Sequence, residues 1–312
     1  MRTNLRLESS PFCYVYSKYK IEEIDGKRYV MPEEKATKKA ISITEHIDDL
    51  LIGTLNIGKK QFFKESIEDF ELLNYYVKYG SFGFMIDLAI NKYFVLDEKV
   101  AVRDPFYINR KENVDFINTE EYLKFFLPKL NKKEINSLIK KCKDVASNNR
   151  KEDYLTSILN EYLIYSEHYA EPLELVLNYA RSLYKHFYWA LDNKSLTMKL
   201  PFLSVNHLEH KIEDLYYNNS FGFTINYLKQ AIDISYSMQM AQDVRLLKIC
   251  NFCEKAFIAN NPKAEYDTPQ CKNKANVYKS RGKIISRNVI HTDDGFAVKI
   301  PSQELSNSLK KK

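Results

Sequence analysis

Apolar positions begin the chain in short β-like runs and settle into a helical period further along. Phe12-Cys-Tyr-Val-Tyr16 and Lys27-Arg-Tyr-Val-Met31 flank an Asp25-Gly26 turn, which predicts a short hairpin. Pro32-Glu33-Glu34 then reads as a helix start, with proline in the first turn and acids at the positive end of the dipole. Ile41, Ile43, Ile47, Leu50 and Leu51 would form its apolar stripe. Phe63, Ile67, Phe70, Leu73 and Val77 predict a second helix from Lys60 to about Tyr79. The stretches beginning at Ser81 and Lys92 read as loop with short extended pieces.

From Thr119 the pattern is almost purely helical. Thr119-Glu-Glu-Tyr122 resembles a capped start, and further helices are expected near Lys132–Val145, Glu152–Glu167, Pro172–Asp192 and Thr224–Gln242. Asn148-Asn-Arg-Lys151 and Leu200-Pro201 read as breaks. Tyr179, Leu183, Phe187 and Leu191 stand at helical spacing and read as core, not as a ligand pocket.

Composition narrows the function. With 45% hydrophobic residues among 312, the chain has ample material for a core. Only 8 are glycine, and neither a dinucleotide fingerprint nor a Walker-type loop occurs, so a doubly wound nucleotide enzyme is not expected. Arg2, Arg6 and Glu8 open the chain without an apolar run behind them, and no stretch approaches the ~18 apolar residues of a membrane helix. These features predict a cytoplasmic protein with no membrane partner.

The net charge of +6 is unevenly spread. Residues 245–312 hold 14 Lys/Arg against 6 Asp/Glu, a net +8, which leaves the preceding 244 residues at −2. A basic C-terminal quarter on a neutral body points to an anionic partner, although a solvated face has the same composition.

Chemistry concentrates in that quarter. Cys13 and Cys142 stand alone and read as small buried hydrophobes. Cys250-Asn-Phe-Cys253 is followed 18 positions later by Cys271. Close thiolates in a reducing compartment hold zinc more often than they form a disulfide. A redox pair would open a helix after a strand, whereas Phe257, Asn260-Asn261-Pro262 and Pro269 give the texture of a knuckle and loop. One structural zinc needs four ligands. Asp267 occupies the place where a fourth is expected, with His291, a water or a metal-free finger as the alternatives.

After Cys271 a short basic helix is expected, closed by Gly282. Lys274, Tyr278 and Arg281 share one face, Lys272 and Lys279 flank the opposite one, and Lys283 follows. Basic side chains interleaved with an aromatic suit phosphate contact and base stacking, so these six are the candidate nucleic-acid contacts. Ile284-Ile285 and Phe296–Ile300 read as a small hairpin, and Lys310–Lys312 as a basic tail.

Cys250-x-x-Cys253-x-Lys255-x-Phe257, Pro262-Lys-x-Glu-Tyr266 and Cys271-Lys-Asn-Lys-Ala-Asn-Val-Tyr-Lys-Ser-Arg281 resemble the C-terminal zinc finger of an uncharacterised family of Firmicutes proteins. More distantly they are similar to the CGNR-type finger of bacterial regulators, with Lys272-Asn273-Lys274 where Gly-Asn-Arg follows the cysteine. In both, the position of Asp267, or one near it, is normally cysteine. Tyr79–Asp87 and Thr119–Pro128 also resemble phrases of the Firmicutes family. The resemblance implies a mainly α protein: a helical domain with a short β-hairpin over residues 1–244, and a treble-clef-like finger over 245–312 with a nucleic-acid role.

Two further constellations bear on catalysis. Arg181-Ser-Leu-Tyr-Lys-His186 matches the R-x₄₋₆-H pattern of HEPN ribonucleases, with Ser182 where that family usually has Asn, Asp or His. His207, His210 and Glu213 can share a helix face but lack the H-E-x-x-H spacing. The expected function is therefore a nucleic-acid-binding zinc-finger protein. A HEPN-like ribonuclease using Arg181 and His186, or an interaction protein whose finger only braces the helical domain, are the alternatives.

Overall fold

The structure is a computed structural model and describes residues 12–103, 114–148, 152–192, 225–241, 246–281, 289–291 and 297–299. The first elements are β1 (Phe12–Tyr16), β2 (Tyr19–Ile24), β3 (Lys27–Pro32), β4 (Lys38–Ser42), α1 (Ile47–Phe62), α2 (Asp69–Tyr79) and α3 (Phe84–Leu88). There follow β5 (Lys99–Arg103), β6 (Val114–Asn118), α4 (Thr119–Phe126), α5 (Lys132–Asn148), α6 (Glu152–Tyr162), β7 (Glu171–Pro172), α7 (Leu173–Asp192) and α8 (Leu228–Ala241). The last are β8 (Leu247–Ile249), β9 (Ala256–Ile258), α9 (Pro269–Ser280), β10 (Val289–His291) and β11 (Ala297–Lys299). The chain is mainly helical, with small antiparallel sheets.

It divides into two compact units. The first comprises Met1–Ile47, Asp69–Val176 and Leu200–Ile234; the second comprises Asp48–Glu68, Leu177–Lys199 and Ser235–Lys312. Residues 245–312 thus share a unit with residues 48–68 and 177–199.

The N-terminal strands pair differently from a single hairpin. Asp25 and Gly26 are both left-handed (φ 52° and 72°) and join β2 to β3, as the turn predicts. β1 instead pairs with β4, from Phe12 opposite Ser42 to Tyr16 opposite Lys38. The helix expected from Pro32 therefore does not form. Pro32 ends β3, Ala36 N–H closes a turn onto the Glu33 carbonyl, and Lys35 is left-handed (φ 64°). Ile41 is spent on a strand, and the helical period starts only at Ile47.

The expected helix over 60–79 is two helices. Lys64 takes φ 54°, its N–H reaches the Gln61 carbonyl, and Glu65 N–H reaches the Lys60 carbonyl, which is a Schellman closure of α1. Lys59 and Glu65 add an ion pair at 2.7 Å across the same turn. The apolar stripe is accordingly broken, with Phe63 buried and Phe70 61% exposed. Asn118, not Thr119, caps α4 by accepting from Glu120 N–H at 2.9 Å. α3 forms within the stretch from Ser81 that the sequence pattern predicts as loop, and α6 ends five residues before Glu167. Near the C-terminus, β10 and β11 form the hairpin, so its first strand lies beyond Ile284-Ile285.

The first unit is organised around one carboxylate. Glu171, in β7, is fully buried and accepts from Tyr76 Oη at 2.7 Å, Tyr169 Oη at 2.8 Å, Phe82 N at 2.9 Å, Gly83 N at 2.7 Å and Phe84 N at 3.3 Å. It thereby satisfies the backbone donors that enter α3, which no intrahelical carbonyl can reach. Burial pushes this carboxyl above its usual range, against the pull of those donors. Gly83 is required twice: its φ is 86°, and an added Cβ would lie 2.6 Å from Tyr227 Cβ. Tyr75 stacks on Phe82 and Phe82 on Phe84, with ring centroids 5.4 and 5.5 Å apart. Beside it, buried Lys229 pairs with Asp87 at 3.0 Å and Asp233 at 2.7 Å, and Tyr227 donates to Asp87 at 3.1 Å.

In the second unit α1 and α7 meet at Gly58, where an added Cβ would lie 1.9 Å from the Ala180 carbonyl oxygen. Phe62, Phe63, Tyr184 and Tyr188 pack ring against ring beside that contact. Tyr179, Leu183 and Phe187 are buried, as the α7 spacing predicts, while Leu191 at its end is half-buried; Cys13 and Cys142 are buried too.

Candidate metal centre

β8 and β9 form a short antiparallel hairpin, Leu247 opposite Ile258 and Ile249 opposite Ala256. Its turn is closed by Cys250 N–H to the Lys255 carbonyl and Glu254 N–H to the Cys250 carbonyl, both 2.9 Å, with Glu254 left-handed at φ 59°. Those constraints turn Cys250 and Cys253 towards one point. Asn251 N–H then bonds the Glu265 carbonyl at 3.0 Å, which draws the following segment back across the turn. Lys248 Nζ holds the same segment through the Pro262 and Ala264 carbonyls.

The helix after the loop starts earlier than its basic residues imply. Thr268 is its N-cap, accepting from Cys271 N–H at 3.2 Å, and Pro269 occupies the first turn. Cys271 therefore sits in the first turn of α9, where the positive end of the dipole favours a thiolate. Asp267, immediately before the cap, turns in as well.

The result is a four-membered cluster. Cys250, Cys253, Asp267 and Cys271 present ligand atoms all within 4.8 Å of one another, Cys250 buried and the rest half-buried. Among the described residues this is the group of such side chains that can hold a metal ion. Cys253 Sγ lies 3.4 Å from Asp267 Oδ2, against the edge of about 3.5 Å expected of a tetrahedral site with Zn–S near ~2.3 Å and Zn–O near ~2.0 Å. The donor set, three soft sulfurs and one oxygen, fits a divalent ion of zinc's type.

Protonation follows from that crowding. Burial raises the Cys253 thiol, with Cys250 and Asp267 adding to it, and burial followed by Asp267 raises Cys271. Burial works to raise Asp267 too, but hydrogen bonds from Cys271, Cys250 and Cys253 outweigh it and hold the carboxyl below its usual value. Without a cation, Cys253 and Cys271 hold their protons more tightly than ordinary thiols, and Cys253 donates to the Asp267 carboxylate. A bound cation reverses this order and displaces those protons.

Two residues from distant parts of the sequence grip the hairpin. Ala256 N–H donates to Asn56 Oδ1 at 2.9 Å and Asn56 Nδ2 donates to the Ala256 carbonyl at 3.3 Å, while Tyr184 Oη donates to the Glu254 carbonyl at 2.9 Å. The Ala256 backbone groups point away from β8 at this register, so they are open to a helix side chain. Neither anchor is legible in the sequence, since Asn56 and Tyr184 belong to helical periods with no motif around them.

The six basic or aromatic candidates divide. Lys272, Lys274, Lys279 and Arg281 are exposed, and Ala275 is the buried residue of α9. Tyr278 is 42% exposed and meets Phe252, inside the knuckle, edge to face at 5.6 Å. Lys283 lies outside the described residues, as do Gly282, His207, His210, Glu213, the Leu200-Pro201 break and the Lys310–Lys312 tail, and His291 falls in β10 with its side chain likewise outside them. Arg181 and His186 lie five residues apart on continuous α7, about 140° around the helix. His186 Nδ1 is hydrogen-bonded to Tyr236 Oη at 2.7 Å, and burial lowers its basicity.

No helix among the described residues is long and apolar enough to cross a membrane. The chain matches no protein-family model, no curated protein and no solved structure.

Proposed function

We propose that the protein binds nucleic acid through a treble-clef-like finger in which one structural zinc, held by Cys250, Cys253, Asp267 and Cys271, fixes the basic helix α9. The observation that carries this reading is the placement of α9. Its ligand cysteine is in its first turn, while Lys272, Lys274, Lys279 and Arg281 all remain exposed. A helix with a single buried residue has little packing to hold it, so a metal at Cys271 would supply the rigidity. A rigid basic face loses less entropy on meeting phosphates than a free tail does. Tyr278 is steadied by Phe252 yet exposed, which suits stacking on a base.

A filter-binding salt series tests it. Removing Lys274 or Arg281 is expected to lower the slope of log K against log salt by about one unit. Tyr278→Ala is expected to weaken binding by ~1–3 kcal/mol with little change of slope, because stacking carries no charge. Equal losses from trimming Lys310–Lys312 would mean diffuse charge binds and the helix does not. Asp267→Cys is expected to tighten zinc, since a thiolate replaces a harder oxygen; unchanged affinity in a competition titration would remove Asp267 from the ligand set.

The Asn56 and Tyr184 anchors favour a second reading, in which the finger only braces the helices of its own unit. In that case metal removal lowers stability and no nucleic acid binds at any salt.

A further inference from the structure

We propose that α9 enters the major groove of duplex DNA by the face turned away from the metal cluster, where Asn273 and Asn276 read adenines and Val277 meets a thymine methyl. This rests on the nucleic-acid reading above and names the partner for it. Asn273, Asn276, Val277 and Ser280 stand at i, i+3, i+4 and i+7, so they form one ridge along the helix. Cys271, in the metal cluster, and buried Ala275 lie on the opposite side. All four ridge residues are exposed, Val277 by 44%.

Charge frames this ridge. Lys272 and Lys279 lie about 100° to one side of it, and Lys274 and Arg281 about 100° to the other. All four cations are exposed and make no ion pair among the described residues, and α9 contains no Asp or Glu. A groove has the complementary plan, with a phosphate strand on either side of a floor of base edges. The ridge carries amides, a hydroxyl and two methyls, and no charge of its own. An asparagine amide pairs with N6 and N7 of adenine, and an apolar side chain packs on the thymine methyl. Ser280 Oγ donates to the Val277 carbonyl at 2.9 Å, which leaves the two asparagines and Val277 as the readers. From Asn273 to Ser280 the ridge rises ~10 Å, about three base-pair steps. The ~12 Å major groove of B-DNA admits a helix, whereas the deep, narrow one of an RNA duplex excludes it. Tyr278 stands about 150° from the ridge, beside Phe252, so its stacking belongs to an unpaired base and is not part of this contact.

Selection tests the ridge. The full-length, zinc-loaded protein would select from short DNA duplexes with a randomised centre, and the winners would be measured by filter binding. They are expected to share a core of about three base pairs containing A·T. Asn276→Ala should weaken binding about tenfold, leave the salt slope unchanged and lose the preference for one adenine. Asn273→Ala should do the same at a neighbouring base pair. Both residues are exposed, so neither change disturbs packing. Replacing the first adenine by 7-deazaadenine, which lacks the N7 acceptor, should weaken the parent several-fold and leave Asn276→Ala unaffected. Lys272→Ala should instead lower the slope by about 0.9 and keep the sequence preference. A selection that converges on no sequence would overturn the groove contact and leave the finger reading standing. So would an RNA duplex of the same sequence, or a single strand, bound as tightly as the selected DNA. An unmutated chain that binds no nucleic acid at low salt would overturn both.

Discussion

Glu171→Gln is expected to destabilise the first unit by about 3 kcal/mol, and Glu171→Ala to prevent it from folding. The reason lies in which donors meet which oxygen. Oε1 accepts from Gly83 N, Phe84 N and Tyr169 Oη, and Oε2 from Phe82 N and Tyr76 Oη. Hydroxyls can turn to accept from an amide, but backbone N–H groups cannot. Whichever way the substituted side-chain amide is placed, its NH₂ faces at least one fixed N–H. The cheaper orientation sets it against Phe82 N alone, which leaves one buried donor unpaired beside a second donor. That costs ~1–3 kcal/mol, in addition to the charge-assisted bonds lost. Alanine leaves all five donors without a partner in a fully buried place, a sum comparable with the whole stability of a domain, ~5–15 kcal/mol. Urea unfolding of the two variants measures this. A Gln variant within roughly 0.5 kcal/mol of the parent, the size of neutral surface changes, would mean the carboxyl is already protonated in the native state.

The second large effect is expected from the metal. Purified without chelator, the protein should carry one zinc per chain, and Cys250→Ser should carry close to none. Structural zinc contributes apparent binding free energies of ~10–16 kcal/mol in small fingers, and that energy is folding energy. Cys250 is the fully buried member of the cluster, so serine there leaves a hydroxyl in a place that holds sulfur. Hydrogen exchange localises the consequence. The amides of Cys250, bonded to Lys255, and Cys271, bonded to the Thr268 cap, should lose protection on chelation. The Ala256 amide should retain part of its protection if Asn56 alone can hold the hairpin against α1. Elemental analysis that finds no metal, with these amides protected regardless, would show a finger that stands by packing.

What the sequence determined by itself is what depends on neighbours along the chain. Helices α5, α7 and α8 follow from a 3.6-residue period, the β2–β3 turn from Asp25-Gly26, and the cysteine cluster from the C-x-x-C spacing with Cys271 downstream. Even Asp267, on the opposite side of a loop, was legible, because its distance from Cys271 is set by a capped helix start. Where the pattern misleads, the cause is different. Residues 38–42 carry apolar positions compatible with either period, and only the unpaired edge of β1 decides for a strand. Lys64 ends α1 in a left-handed turn that no glycine announces, so the apolar stripe runs past a stop it does not encode. Glu171, Asn56 and Tyr184 look ordinary in sequence; their roles arise because backbone donors and carbonyls far away along the chain are left unsatisfied beside them. Local periodicity and spacing are properties of a segment, whereas the satisfaction of a buried polar group belongs to the whole fold, and only the tertiary structure can assign it.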